Sequence, residues 1–254
     1  MRKLLDHGSV ELVEAWGSDE MIVETARVST QKGFLGWGKQ VCSCGTELTS
    51  ADSEMSYCST ERGGGHVFQG AAGDEKLLRF LYENKHSTPF EFAGMTIEVQ
   101  APIFVFREWH RHRTQSYSEA SARYSPLPDL NYVPTVDRCM VVNAANRQAN
   151  AVKGSEVLTM ESALEWLAEL ADTYEHCERT YQSGLRRGIP KELARLPVPV
   201  ARYSRMRAST DLRNWLAFLT LRMAPNAQWE IREYANAVGD MVAEKFPRTW
   251  ELFK

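Results

Sequence analysis

Long apolar runs are missing from this chain of 254 residues, none of which reaches the roughly 18 to 20 residues that a membrane-spanning helix requires. A leader is not expected either, since Met1-Arg2-Lys3-Leu4-Leu5-Asp6 meets an acid before an apolar signal core can form, and the cytoplasm is the expected location. Net positive charge is absent. The formal balance of −3 argues against a protein that coats duplex nucleic acid, which depends on many basic contacts to phosphate. Internal repeats and low-complexity tracts are absent as well. Lysine is scarce: arginine outnumbers it 21 to 9, and ten arginines fall in two stretches, Arg107 to Arg123 and Arg195 to Arg222. Guanidinium groups are planar forks suited to phosphate and carboxylate, so two such clusters point to two anionic ligands or to one anion gripped from two sides.

What is present, 43% hydrophobic residues, suffices for a buried core and for one domain over residues 1–254. Ser18 followed by acids predicts an N-capped helix over 19–26, and Leu77, Leu78, Phe80 and Leu81 predict an amphipathic helix over 74–85. Alternation of Met95, Ile97 and Val99 with Thr96, Glu98 and Gln100 predicts a half-buried strand within 91–104. Pro102 suits the start of a helix through 103–112, with Arg111-His112-Arg113 near its end. Leu158, Leu164, Leu167 and Leu170 mark a long helix over 155–187, stopped by Gly188 and Pro190. A strand over 198–206 and helices over 210–223 and 227–246 complete an α+β pattern, with too few strands for a doubly wound sheet.

Residues 111–124 stand apart, packing three arginines, a histidine, a glutamate and three serines into fourteen positions. Folding alone asks for none of this. Bidentate cations beside hydroxyl donors and one acid suit a nucleotide. The order sharpens the reading: Arg111-His112-Arg113, seven residues, then Ser121. With Ala26-Arg27-Val28-Ser29, His86-Ser87-Thr88-Pro89-Phe90-Glu91, Ala101-Pro102-Ile103-Phe104-Val105, Arg107-Glu108-Trp109, Leu221-Arg222 and Ala227-Gln228-Trp229-Glu230, the chain resembles the flavin-dependent thymidylate synthases, the ThyX family, over most of its length.

That resemblance implies a single catalytic domain over residues 1–254, with long helices packed on a small antiparallel sheet. It implies FAD reduced by NADPH, methylenetetrahydrofolate as carbon donor and dUMP as acceptor, in a homotetramer whose sites are shared between subunits. Thr88, Arg111, His112, Arg113, Glu119, Asp211, Leu212, Arg213 and Ala217 would contact the flavin. Glu108, Trp109, His110, Arg111, Glu119, Ala120, Ser121, Ala122, Arg123 and Arg195 would surround the nucleotide, Ser121 and Arg123 as donors to its phosphate or base. Arg222 would stabilise charge on the pyrimidine, and His86 would stand near the flavin; these two are the catalytic candidates. Because no side chain supplies hydride, a redox cofactor must complete a reductive methylation.

Several positions depart from the family pattern. Glu108 replaces glutamine, Ser118 asparagine, Ala122 glycine, Phe92 histidine, Asp211 and Ala217 asparagines, and Asn226 histidine. An ionised carboxylate at Glu108 only accepts, which suits the amino group of a cytosine nucleotide such as dCMP, so methylation or hydroxymethylation of another pyrimidine stands as the alternative reaction. A segment of about 33–73, rich in Gly, Ser, Thr and Cys, reads as an insertion in which Cys42, Cys44, Cys58 and His66 could complete a structural zinc site, remain free thiols or form a disulfide. With zinc, a third reading arises, a nucleic-acid-binding protein using a zinc knuckle and its arginines. Cys139 and Cys177 are isolated: Cys177 reads as packing within the long helix, Cys139 lies in a loop with no nearby base in sequence, and neither reads as an activated nucleophile.

Overall fold

The computed structural model describes residues 1–37, 73–141, 151, 155 and 157–254; Cys42, Cys44, Cys58 and His66 lie outside the described residues. The chain divides into two compact units, one of residues 1–14, 96–210 and 217–239, the other of 15–95, 211–216 and 240–254.

The first unit holds a five-stranded sheet in the order β1 (Arg2–Leu4), β2 (Gly8–Trp16), β3 (Gly94–Pro102), β5 (Tyr203–Asp211), β4 (Ser116–Glu119). Both outer pairs are antiparallel, with Leu4 opposite Gly8 and Ser116 opposite Ser209. The alternation read in β3 is real: Ile97, Val99 and Ala101 are wholly buried. On its other face Thr96 bonds Ser209 (2.8 Å), Arg207 donates to Glu98 (3.0 Å) and Arg205 to Gln100 (3.0 Å), so the polar residues tie β3 to β5. The strand is shorter than expected because Pro89 sits in a 3-10 turn, Thr88–Phe92, before it. The expected strand over 198–206 starts only at Tyr203 and runs to Asp211; Pro197 and Pro199 lack the N–H a ladder needs, and Val198 and Arg202 close turns onto Arg195 and Pro199 instead.

Helix α3 (Ile103–Trp109) follows Pro102 directly but stops earlier than expected, which leaves Arg111-His112-Arg113 in the turn beyond it. The long helix α5 (Met160–Arg186) is opened by a capping box between Thr159 and Ser162 and closed by Gly188 at φ +75°. Its apolar side is only partly covered: Leu164 is 53% exposed and Trp166 48%. Short helices α4 (Val136–Met140) and α6 (Lys191–Ala194) complete the chain on either side of α5. α7 (Leu212–Arg222) and α8 (Trp229–Lys245) appear where expected.

In the second unit α1 (Asp19–Arg27) carries the expected Ser18 cap, whose hydroxyl accepts from Met21 N (3.2 Å). Asp19 is buried and accepts from Arg248 N (2.9 Å), Thr249 N (3.1 Å) and the Thr249 hydroxyl (2.6 Å), so it caps α9 (Pro247–Phe253) from a distant point in the chain. Burial pushes its carboxyl up against these donors. Arg27 of the Ala-Arg-Val-Ser motif pairs with Asp74 at the head of α2 (Asp74–Glu83), and Asp74 also accepts from Leu35 N and Gly36 N. Gly17 turns the chain between β2 and α1 at φ +70°, where a Cβ would stand 2.6 Å from the Phe92 carbonyl oxygen. Gly17→Ala is therefore expected to destabilise the fold by about 2 kcal/mol, read as a lower denaturant midpoint with an unchanged slope.

Candidate active site

The core first fixes the end of α3. Trp109, expected among the substrate contacts, is fully buried; its indole stacks on Phe218 (centroids 4.6 Å apart) and donates to Gln115 Oε1 (3.1 Å). Its side chain is thus an anchor. Tyr117 reaches back from β4, its hydroxyl lying 3.0 Å from the Trp109 carbonyl and 2.7 Å from that of His112. Burial pushes this phenol up to about 12, so it stays a donor and pins the turn that carries Arg111, His112 and Arg113.

On this pinned turn stands a tight constellation of expected residues, all within the first unit. Arg222, the last residue of α7, donates Nε to His112 Nε2 (2.9 Å), Nη1 to Glu108 Oε2 (2.7 Å) and Nη2 to the Glu108 carbonyl (2.9 Å). Three of its five N–H groups are spent this way. Among the described residues no other acceptor takes the remaining two. The Arg222 side chain is 18% exposed and that of Glu108 30%, so the pair is half sheltered yet reachable. His112 must accept at Nε2, which places its proton on Nδ1. Burial, then the Arg222 charge, lower its pKa to about 4. Burial likewise raises the Glu108 carboxyl, Arg222 pulling the other way and Glu230 adding to the rise.

Around this centre the other expected residues differ in character. Arg111, Arg113, Glu119, Ala120 and Arg195 are exposed, while Ala122 is buried. Arg123 N–H donates to Ser121 Oγ (3.3 Å), and the Arg123 guanidinium lies 3.5 Å from Glu192 of α6. The His110 ring lies edge-on to Tyr117 and 3.1 Å from Met206 Sδ.

In the second unit His86 is exposed with its ring edge-on to Phe80, and Thr88 is exposed at the head of its 3-10 turn. Arg213 pairs with Glu91, and Leu212 is buried core. Asp211 is engaged in capping α7: its carboxylate accepts from Asn214 N (2.9 Å) and Asn214 Nδ2 (2.7 Å). Ala217, which belongs to the first unit, is exposed on α7.

Sequence reasoning did not single out Tyr117, nor the buried Glu230. The latter accepts from Arg138 (2.8 and 3.3 Å), Gln228 (2.8 Å) and Tyr132 (3.1 Å). Burial would push Glu230 up, but these donors hold it below its usual value. Arg138 and Glu230 line a cavity of about 580 Å³ together with Phe104, Tyr132, Trp166 and Tyr174. An acid at the head of α8 was the available signal for Glu230; Tyr117 gave none, because its role depends on where the turn after α3 folds back.

A small sheet with helices, one sheltered guanidinium and several exposed ones in the same unit suit an anionic ligand. The model of the family "Thymidylate synthase complementing protein" matches residues 11–248. A flavin-dependent thymidylate synthase from Thermus thermophilus is 35% identical over 251 residues, covering 99% of this chain and 77% of its own. One from Thermosipho melanesiensis is 33% identical, covering 99% and 92%. Among solved structures, a UMP/dUMP methylase from Streptomyces cacaoi bound with 5-Br dUMP superposes with a TM-score of 0.73 at 30% identity, covering 99% of this chain and 97% of that one. The chain belongs to the thymidylate synthase complementing protein family, that of the flavin-dependent thymidylate synthases, and is an enzyme.

The protonation of His112 has a measurable consequence. Its folded pKa of about 4 lies below the ordinary 6.5, so the unfolded chain binds more protons between these values and stability falls as pH drops through that window. His112→Gln is expected to flatten the dependence of unfolding free energy on pH between 6.5 and 4.

Proposed function

We propose that this protein converts dUMP to dTMP by flavin-dependent reductive methylation, with methylenetetrahydrofolate giving the carbon and NADPH reducing the flavin. The observation that carries the reading is the locked Arg222, held by His112 and Glu108 through three of its N–H groups and still partly exposed beside Glu108. A fixed cation in a low-dielectric recess stabilises charge that develops on a pyrimidine without reorganising at the moment of reaction.

The chain's residues divide the work by exposure. Arg123, Arg195 and Ser121 suit a 5′-phosphate, which stays wet and wants several donors. Arg111, Arg113 and Arg213 with Thr88 and Glu119 are the flavin contacts that the family resemblance implies, and exposed guanidinium groups with a hydroxyl fit the pyrophosphate and ribityl oxygens of FAD. When bound, the flavin supplies the hydride that no side chain here can give. His112 and the Tyr117-pinned turn keep Arg222 at one setting, and the stacked Trp109 keeps Glu108 beside it.

Association into a homotetramer fits the apolar residues of α5 that the single chain leaves exposed, Leu164 and Trp166 among them. Among the described residues no helix is long and apolar enough to cross a membrane.

An anaerobic assay with FAD, NADPH, methylenetetrahydrofolate and either dUMP or dCMP, read by product mass, tests the reaction. Formation of dTMP from dUMP is expected; a methylated or hydroxymethylated cytosine nucleotide formed in preference would overturn it. Arg222→Ala is expected to lower kcat by about 10²- to 10³-fold while the purified protein keeps its flavin absorbance band.

A further inference from the structure

Glu108 is the acid closest to Arg222, and two facts about its setting do not follow from holding a guanidinium alone. Its backbone carbonyl already takes Arg222 Nη2 and its carboxylate only one oxygen's worth of Nη1, so the second carboxylate oxygen is not used by that pair. The side chain is 30% exposed, next to an Arg222 side chain that is 18% exposed and has two N–H groups beyond those it spends on Glu108 and His112. A carboxylate oxygen beside two N–H groups is complementary to a ring edge that offers one N–H flanked by carbonyl oxygens. The neutral uracil edge, N3–H between O2 and O4, is such an edge.

We propose that Glu108 is a catalytic base that removes the N3 proton of the pyrimidine while Arg222 holds the resulting anion. This rests on the reading of the site as one that methylates dUMP. In the step, the N3–H bond breaks and an O–H bond forms on Glu108. The electron pair stays in the ring, spread over N3, O2 and O4, and raises electron density at C5, where the one-carbon unit is to be attached. Once C5 has formed its new bond, the same carboxyl returns the proton to N3. No oxidant or reductant enters this exchange.

The charge arithmetic favours it. Before transfer Arg222 is paired with the Glu108 carboxylate; after transfer it is paired with the ring anion beside a neutral carboxyl. One anion replaces another next to the same guanidinium, so no isolated charge is created in a poorly solvated place. Among the described residues Arg222 of α7 pairs with Glu108, neutral His112 of the turn after α3 shares that guanidinium, and Glu230 of α8 acts on the carboxyl through its charge. Burial and Glu230 raise the affinity of Glu108 for a proton, and so narrow the gap to a weakly acidic ring N–H.

The test compares the unaltered enzyme with Glu108→Gln, which keeps size and can still meet Arg222 through its amide oxygen. Binding of dUMP, measured by calorimetry, is expected to stay within about tenfold, which shows that the site has folded. The value of kcat is expected to fall by about 10²- to 10⁴-fold, the usual worth of a positioned base. In the unaltered enzyme log kcat should rise with pH through a single ionisation above the ordinary carboxylate range, and that limb should vanish in the variant. N3-methyl-dUMP, which has no proton to give, should bind without turning over. Retention of kcat within threefold in Glu108→Gln, an unchanged pH limb, or turnover of N3-methyl-dUMP would each overturn the base. Preference for dCMP would overturn it too, because the carboxylate would then be accepting from an exocyclic amino group. If the unaltered protein makes no dTMP at all, the reaction itself fails; if it makes dTMP and Glu108→Gln does so equally well, only the base fails.

Discussion

A single guanidinium, that of Arg222, is the point on which the candidate site depends. Its three inward hydrogen bonds join the last residue of α7 to the end of α3 and to the turn beyond it, which are 110 or more residues apart in the chain. Each partner is itself held: Glu108 by the buried Trp109 next to it, His112 by Tyr117 and by edge-on contact with Phe218. Hydrogen bonds to charged groups contribute about 1.5 to 3 kcal/mol when well made. The larger effect here is geometric, because a guanidinium with three fixed N–H groups can present its other two in only one plane.

The division between sheltered and exposed arginines follows from the same constraint. A phosphate remains partly hydrated and is served by flexible cations in water, whereas a ring edge is recognised by groups whose own hydration has already been given up. Arg222 and the wholly buried Arg202 show two uses of a low-dielectric arginine. Arg202 gives its terminal nitrogens to Glu178 (2.5 Å), Asp129 (3.1 Å) and the Pro128 carbonyl and is closed off from solvent, so it serves the fold, while Arg222 stays partly exposed.

Much of this architecture could be read from residue order, and the failures have physical causes. Period-two alternation found β3, and the Ser18 cap and the Gly188 stop found α1 and the end of α5, because each signal is local. The strands β1, β2 and β4 were not read; β4 has only four residues and is held as a strand by its partner β5 rather than by its own pattern. Within the site, ordered motifs marked Arg111 to Arg123 and Arg222, yet nothing in the order distinguished a residue that faces a ligand from one that supports it. Trp109 and Leu212, expected at ligands, have buried side chains, and Asp211, expected at the flavin, also caps a helix. Polarity marks residue types, but only packing decides which side of the backbone they occupy.

The short segment after β4 is fastened to α6 by Lys191 Nζ on the Tyr124 carbonyl (2.8 Å) and by Arg123 beside Glu192 (3.5 Å), all of them exposed groups. Contacts of that kind are worth less than about 1 kcal/mol each and weaken as salt is added. A phosphate held at Arg123, as proposed, would compete with Glu192 for that guanidinium and leave Lys191 as the remaining tie. A clasp made of such contacts yields to a stronger anion.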